Sequence, residues 1–530
     1  MNSLVITAGV VAAFWLAYRF YGRKLESLWG IDPARATPAF SRYDSIDYVP
    51  AKNWLVLFGH HFASIAGAGP IIGPVIAAMV WGWLPALLWV VVGTIFIGGV
   101  HDFGSLITSV REGGSSISEV ALHAISRRAK IIFSLFLWLT LILIIAVFAY
   151  LSADTFIKEP RVVVPSLGLI PVAMVVGFFL YNRKAHPGVT TFCGLIILAL
   201  LIYAGNLIPV KAGAFFWLAV LFIYAYCASV LPVNILLQPR DYLCSFLLFI
   251  GMGAGYACMI ARPPRLSMPF YHAWSASQEG FLWPALFVTV ACGAVSGFHA
   301  LISSGTSSKQ IASEAHARKI GYGGMVTEGL LALLALISVA AFFGRGEDYG
   351  GILKSAGPIR IFAQGYGSLT SGLLKGWGQF VAVTILNAFI LTTLDTATRI
   401  SRYLTEELFG IKNRFLSTLL VVLAGGALAA SGKWSKIWPA FGASNQLVAA
   451  LALFVLSCWL LSKKKNPALT IVPAFFMLIT TLAALITQAI RYYTHKDILL
   501  FSVSLFLIAL AAVMAYEVFS VLLRRKRHAA

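Results

Sequence analysis

Long apolar runs recur along almost the whole 530-residue chain, and no other feature limits the fold so strongly. They fall at about 3–20, 53–80, 83–105, 131–151, 164–181, 188–208, 213–232, 241–261, 283–304, 322–343, 377–397, 415–431, 437–461, 468–490 and 498–521. A bilayer core takes about 20 apolar residues in helical form. A helix also satisfies every backbone N–H and C=O within its own segment, which lipid requires. The runs therefore predict an all-α polytopic membrane protein with about fifteen transmembrane helices, organised as one domain over 1–530. Charged residues make up only 11% of the chain; a soluble domain carries about 25%.

The net charge of +20 does not indicate nucleic-acid binding, because the basic residues sit in short gaps between apolar runs. Gaps after odd-numbered runs hold 27 Lys and Arg, and gaps after even-numbered runs hold 13, which together account for all 40. That bias predicts an N-terminus outside and a C-terminus in the cytoplasm. Lys463-Lys464-Lys465 and Arg524-Arg525-Lys526-Arg527 agree with it. The first run is followed, not preceded, by Arg19, Arg23 and Lys24, the wrong order for a cleaved leader, so it reads as a retained span over 1–22. The six cysteines form no CxxC pair and imply no disulfide framework or metal site.

The second run breaks the pattern of a plain span. It reads Gly59-His60-His61-Phe62-Ala63-Ser64-Ile65-Ala66-Gly67-Ala68-Gly69-Pro70-Ile71-Ile72-Gly73-Pro74. Each proline removes a backbone donor and clashes with the preceding turn. An interrupted helix at membrane depth is tolerated inside protein or beside a wet cavity. The freed groups of Gly67, Ala68, Gly69, Pro70 and Gly73 can then meet a substrate carboxylate or a cation; close helix packing through small residues is the bland alternative. The seventh run carries a weaker counterpart, Ser229 to Pro239, with Pro232 and Asn234 at its centre. A break recurring after five spans in opposite orientation predicts an inverted five-helix repeat, with Pro232–Asn234 as the facing wall. The ninth run ends in a dense set of hydroxyls, Ser303, Ser304 and Thr306, which either coordinate a cation or bond back to their own helix.

Ionisable residues in or beside the runs are His60, His61, His101, Asp102, His299, Glu328 and Asp395. A charge at mid-membrane costs roughly 2.5–3.5 kcal/mol even on the mildest scale, so such groups face a partner, a pore or water. His60, His61 and Asp395 are candidates for carrying a coupling proton. His101, Asp102 and Arg399 are candidates for gating or structural ion pairs; Arg399 stands four residues after Asp395, the spacing of an intrahelical pair.

These residues also carry a resemblance. Thr37-Pro38-Ala39, Asp47-Tyr48-Val49-Pro50, Gly59-His60-His61-Phe62 running into Gly67-Ala68-Gly69-Pro70 and Gly73-Pro74, and His101-Asp102-Phe103 make the first half. Cys292-Gly293, Ser296-Gly297-Phe298-His299, Ser304-Gly305-Thr306, Lys309-Gln310, Asp395-Thr396, Arg399 and Arg402-Tyr403 make the second. Over about 30–460 the chain resembles the carbon starvation protein A family of peptide and pyruvate transporters, with residues 461–530 forming additional C-terminal spans. The resemblance implies uptake across the inner membrane of a bacterium or archaeon. By analogy it implies the leucine-transporter type of fold: two inverted five-helix repeats, a broken first and sixth helix, and here one extra leading span. The broken helices would be the second and seventh runs. The eighth helix would be the ninth run, whose Ser303, Ser304 and Thr306 would hold a cation.

The expected function is a cation-coupled symporter working by alternating access on pyruvate or short peptides. No cofactor or resident metal is expected, and the coupling ion is H+ or Na+. A channel or nutrient sensor is the alternative. An intramembrane metalloenzyme is disfavoured because no HExxH motif occurs and His60 and His61 are adjacent.

Overall fold

A computed structural model describes residues 2–183, 185–276, 280–430 and 434–529. Twelve of its described helices are long and apolar enough to cross a membrane, fewer than the fifteen runs. Two more runs form shorter apolar helices, and the run at 283–304 is split.

In chain order the helices are α1 (Ser3–Trp29), α2 (Trp54–Ala66), α3 (Gly69–Trp81), α4 (Trp83–Arg111), α5 (Ile117–Ala124) and α6 (Arg127–Lys158). Then come α7 (Pro160–Asn182), α8 (Pro187–Leu207), α9 (Ala214–Val230), α10 (Leu237–Ala261), α11 (Leu282–Thr289) and α12 (Gly297–Gly305). The chain continues through α13 (Glu314–Phe342), α14 (Tyr349–Leu369), α15 (Gly378–Phe409), α16 (Arg414–Ala430), α17 (Trp434–Ser462), α18 (Ala468–Thr494) and α19 (Ile498–Ala529).

The second run is interrupted where its glycines and prolines predict. The Asn53 side chain caps α2 by accepting from the Val56 amide at 2.9 Å. Helix α2 stops at Gly67, whose φ of +29° is closed to most L-residues. Helix α3 starts with Pro70 in its first turn, where a missing N–H costs no helical bond.

The second interruption is not in the seventh run. There α9 ends at Val230 and α10 starts at Leu237, so Pro232 lies in a link between two spans and Pro239 in a helical first turn. The broken partner is the ninth run. Helix α11 stops at Thr289, Val290–Ser296 is non-helical with Gly293 at φ +88°, and α12 resumes at Gly297. The reason is an insertion: α7 and α8 pack on each other and on α10, adding two spans to the first half.

With that hairpin set aside, two units of five match. The first is α2/α3, α4, α6, α9 and α10; the second is α11/α12, α13, α15, α16 and α17. Their packing corresponds element by element. Helix α6 lies on α15, α9 on α16, α9 on α15 as α16 on α6, α2 on α10 as α11 on α17, and α3 on α13 as α12 on α4. An even number of spans separates the interrupted segments, so the second unit runs opposite to the first. The eighth helix of the repeat is therefore α15, and Ser303, Ser304 and Thr306 belong to the sixth. The interrupted α2/α3, α15 and α17 are the most enclosed; α1, α8 and α19 are peripheral and present apolar side chains such as Phe192 and Val513 outward.

Candidate functional site

The two interruptions touch. A Cβ added at Gly69 would lie 2.3 Å from the Cys292 Cβ, so only glycine lets the start of α3 reach the non-helical stretch. Gly73, one turn on, lies against the Thr289 carbonyl, and Gly293 lies against Pro70. A Cβ at Gly67 would meet the Thr393 hydroxyl at 3.0 Å and the Phe148 ring at 3.6 Å. The Thr393 Oγ1 is buried and has no hydrogen-bond partner among the described residues. Phe148 in turn meets Phe441 of α17 edge-on. The last carbonyls of α2 and the Gly69 amide at the start of α3 have no partner in their own helices; Pro70 has no N–H, and the Ala68 carbonyl takes the Ile71 and Ile72 amides at 3.3 and 2.9 Å. Of the predicted substrate residues, Gly67, Ala68, Gly69, Pro70 and Gly73 are brought together.

Pro232 and Asn234 are not among them. They sit in the α9–α10 link, where the Val233 amide bonds the Ile46 carbonyl at 3.0 Å. The Asn234 Oδ1 is buried without a partner among the described residues.

Two buried polar networks flank the interruptions. On α2, successive side chains are turned about 100° apart, so adjacent His60 and His61 face different neighbours. His60 donates from Nδ1 to Asp241 at 2.6 Å, and its Nε2 accepts from Gln310 at 3.2 Å. Ser64 reaches Asp241 at 3.4 Å and Thr396 at 3.1 Å. Beside Asp241, the Arg240 guanidinium pairs with Asp395, which also accepts from the Tyr224 hydroxyl. His61 instead bonds Ser307 through Nδ1 at 2.8 Å and faces Gly324 of α13.

The second network joins α4, α12 and α13. Asp102 lies 2.9 Å from the His101 Nδ1 and 3.0 Å from the His299 Nδ1. The His299 Nε2 lies 3.3 Å from Glu328 Oε2, and Glu328 Oε1 accepts the Gly293 amide at 3.0 Å. All of these side chains are fully buried. His101 and Asp102 thus form part of an interhelical network.

Asp395 and Arg399 do not form the intrahelical pair that their spacing suggests. Asp395 pairs with Arg240, while Arg399 bonds Asp47 at 2.7 Å and the Ala228 carbonyl at 2.7 Å. Both are drawn to stronger partners on other elements. Arg402 at 2.8 Å and the Tyr403 hydroxyl at 2.7 Å complete the clamp on Asp47. Lys309 lies 3.6 Å above the Tyr403 ring. Burial alone would raise the Asp47 carboxyl, but Arg399, Arg402 and Lys309 outweigh it and hold it well below the usual carboxylate range. Ser304 and Thr306 donate to carbonyls four residues back in α12, at 2.7 and 3.1 Å. Ser303 is buried with no partner among the described residues.

Helix α10 runs from this clamp at Leu237 to Ala261, roughly 37 Å away at 1.5 Å per residue. At that far end lies a half-open cavity of ≈ 470 Å³ whose lining includes Arg262, Ser338, Ser368 and Ser371. Arg240 and Asp241 were not singled out from the sequence, and Asp47 was noted only within the family motif, with no role. Their signal is an acidic or Arg-Asp group just before an apolar run, which loop anchoring explains equally well.

Solved transporters share this architecture. A mutant form of the manganese transporter of Eremococcus coleocola superposes with TM-score 0.53 at 12% identity, covering 90% of this chain and 99% of that one. MHP1, a nucleobase-cation-symport-1 family transporter, gives 0.50 at 11% identity over 92% and 96%. At such identities the likeness is one of fold, the leucine-transporter type. Sequence relatives are far nearer. The peptide transporter CstA of Escherichia coli K12 is 33% identical over 91% of this chain and 81% of its own length. The pyruvate/proton symporter BtsT of the same organism is 31% identical over 92% and 81%. The model of the family described as carbon starvation protein CstA matches residues 2–349 and 346–484, well beyond the motifs around the interruptions. With the family model matching from α1 into α18 and these relatives 33% and 31% identical over most of both chains, this chain belongs to the carbon starvation protein CstA family.

Proposed function

We propose that this protein is a secondary active transporter, a cation-coupled symporter that imports a small carboxylate, pyruvate or a short peptide, by alternating access. The observation that carries the reading is the face-to-face contact of two helix interruptions at the centre of an inverted repeat. The Gly69 amide at the start of α3 lies at the positive end of a helix dipole and suits a carboxylate. Thr393 and Phe148 supply one free hydroxyl and one apolar wall beside them. The relatives named as a peptide transporter and a pyruvate/proton symporter support the substrate class. The buried ionisable groups beside both interruptions support cation coupling.

The protein lies in the cytoplasmic membrane of a bacterium or archaeon, with its N-terminus outside and its C-terminus inside, as the Lys and Arg bias supports. In that orientation the Asp47 clamp closes the cytoplasmic route, and the cavity around Arg262 opens outward.

The test is uptake into proteoliposomes under an imposed proton or sodium gradient, with pyruvate, other monocarboxylates, amino acids and di- and tripeptides in competition. Saturable accumulation that collapses with one gradient is expected. Uptake that survives collapse of both gradients refutes symport, and non-saturable flux with no accumulation makes the protein a channel.

A further inference from the structure

Among the buried ionisable groups nearest the first interruption, both ring nitrogens of His60 have partners of matching polarity. His60 uses its one N–H on Asp241 and its one lone pair on Gln310, as a neutral ring should. Asp395 is matched by Arg240.

His299 is built differently. Its Nδ1 lies 3.0 Å from Asp102 Oδ2 and its Nε2 lies 3.3 Å from Glu328 Oε2, with all three side chains fully buried. The second contact lacks the alignment of a hydrogen bond, and neither Nε2 nor Oε2 has another hydrogen-bond partner among the described residues. A neutral imidazole has one N–H and one lone pair, and an ionised carboxylate can only accept. In either tautomer, then, one ring lone pair points at a carboxylate oxygen. One added proton removes the conflict, as an imidazolium between two carboxylates or as a carboxylic acid on Glu328. It also reduces the net charge of the buried trio from −2 to −1. The other titratable groups facing it are His101 on α4, through Asp102; His61 on α2; and Cys292 in the non-helical stretch.

We infer that Asp102, His299 and Glu328 form the seat of the coupling proton, and that its occupancy is transmitted to the substrate position through Gly293. This rests on the symport reading above. The transmission is short. Glu328 holds the proton-facing Oε2 and, through Oε1, the Gly293 amide. Thr94 donates to the Gly293 carbonyl at 3.0 Å, and Gly293 abuts Pro70 of the first interruption. With the proton bound, α4, α12 and α13 are drawn together and both interruptions are held. Once it leaves, the facing lone pair and carboxylate repel, and α12 is released from α13. Only N–H or O–H bonds form and break. The proton enters from one aqueous side and leaves to the other.

The experiment compares wild type with Glu328→Gln, which keeps the Gly293 acceptor but cannot exchange a proton. Purified protein is titrated in detergent, and labelled pyruvate and Ala-Ala are followed in proteoliposomes. A difference titration showing about one proton fewer in the variant is expected. So are loss of proton-driven accumulation and a counterflow exchange rate that no longer varies with pH. Wild-type accumulation and pH dependence in Glu328→Gln overturn the assignment, as does a difference titration that shows no missing proton. Wild type that accumulates neither probe, yet shows the titrating proton, refutes the symport reading and leaves the proton seat standing. Should Glu328→Gln not fold, His299→Gln and Asp102→Asn carry the same contrast.

Discussion

Gly69→Ala tests the contact between the two interruptions most directly. The new methyl would stand 2.3 Å from the Cys292 Cβ and 2.5 Å from its Sγ. Ordinary van der Waals contact begins at 3.4 Å, so the two segments must part by about an ångström. Overpacking of this kind costs about 1–3 kcal/mol. If the contact forms in one state of the cycle and opens in another, that cost shifts the closed-to-open ratio roughly 5- to 140-fold toward open. Cys292 is buried in the closed contact, so its alkylation by a maleimide reports the shift. The variant is expected to label faster at Cys292, located by peptide mass mapping, while labelling at exposed Cys193 and Cys227 stays constant. Gly69→Ala with Cys292→Gly removes the Cβ and Sγ that the new methyl would meet, and the melting temperature should recover. Wild-type labelling at Cys292 in Gly69→Ala would refute the packing argument.

Further perturbations separate the roles of the networks. Arg240→Gln leaves Asp395 as an unmatched buried charge and should destabilise the protein by about 3–5 kcal/mol in chemical denaturation; adding Asp395→Asn should restore most of it. Gly67→Ala forces an L-residue to φ +29° beside Thr393 and should cost about 1–3 kcal/mol, read as a lower melting temperature with reduced uptake. Asp47→Asn removes the negative charge that Arg399 and Arg402 share and puts an amide donor in place of one accepting oxygen, and should raise labelling of cysteines introduced behind the clamp from the cytoplasmic side. The folded Asp47 carboxyl is depressed, so its stabilisation is present above the unfolded value of about 3.9 and is lost only as pH falls through the lower folded value. The melting difference between wild type and Asp47→Asn should therefore be flat from about pH 5 to 8 and shrink only below about pH 4.

Local chemistry was legible where it is local in cause. Pro70 beside Gly67 and Gly69 stops a helix wherever the chain folds, and the break is there. Pro232 and Pro239 carry the same signature, yet they end one span and begin the next, because helix ends and helix breaks use the same residues. The broken ninth run has no proline between Val290 and Ser296, only Cys292-Gly293, and its interruption depends on Gly293 fitting against Pro70. Counting five spans failed because the α7–α8 hairpin is as apolar as the repeat it interrupts. The partner of Arg399 was hidden for a related reason. Asp395 is close in sequence, whereas Asp47 is 352 residues away and is brought near only by the packing of α15 against the N-terminal loop.

The neighbouring histidines of α2 set how that half-helix can move. One is tied toward α10 through Asp241 and the other toward Ser307 after α12, so the rod is moored on two sides by consecutive residues. A swing about Gly67, or a turn about its own axis, cannot slacken one tie while tightening the other without straining the pair. Under the proposed alternating access, a swing that carries α2 away from both neighbours has to break two hydrogen bonds set on consecutive residues, so α2 works as a latch with two catches.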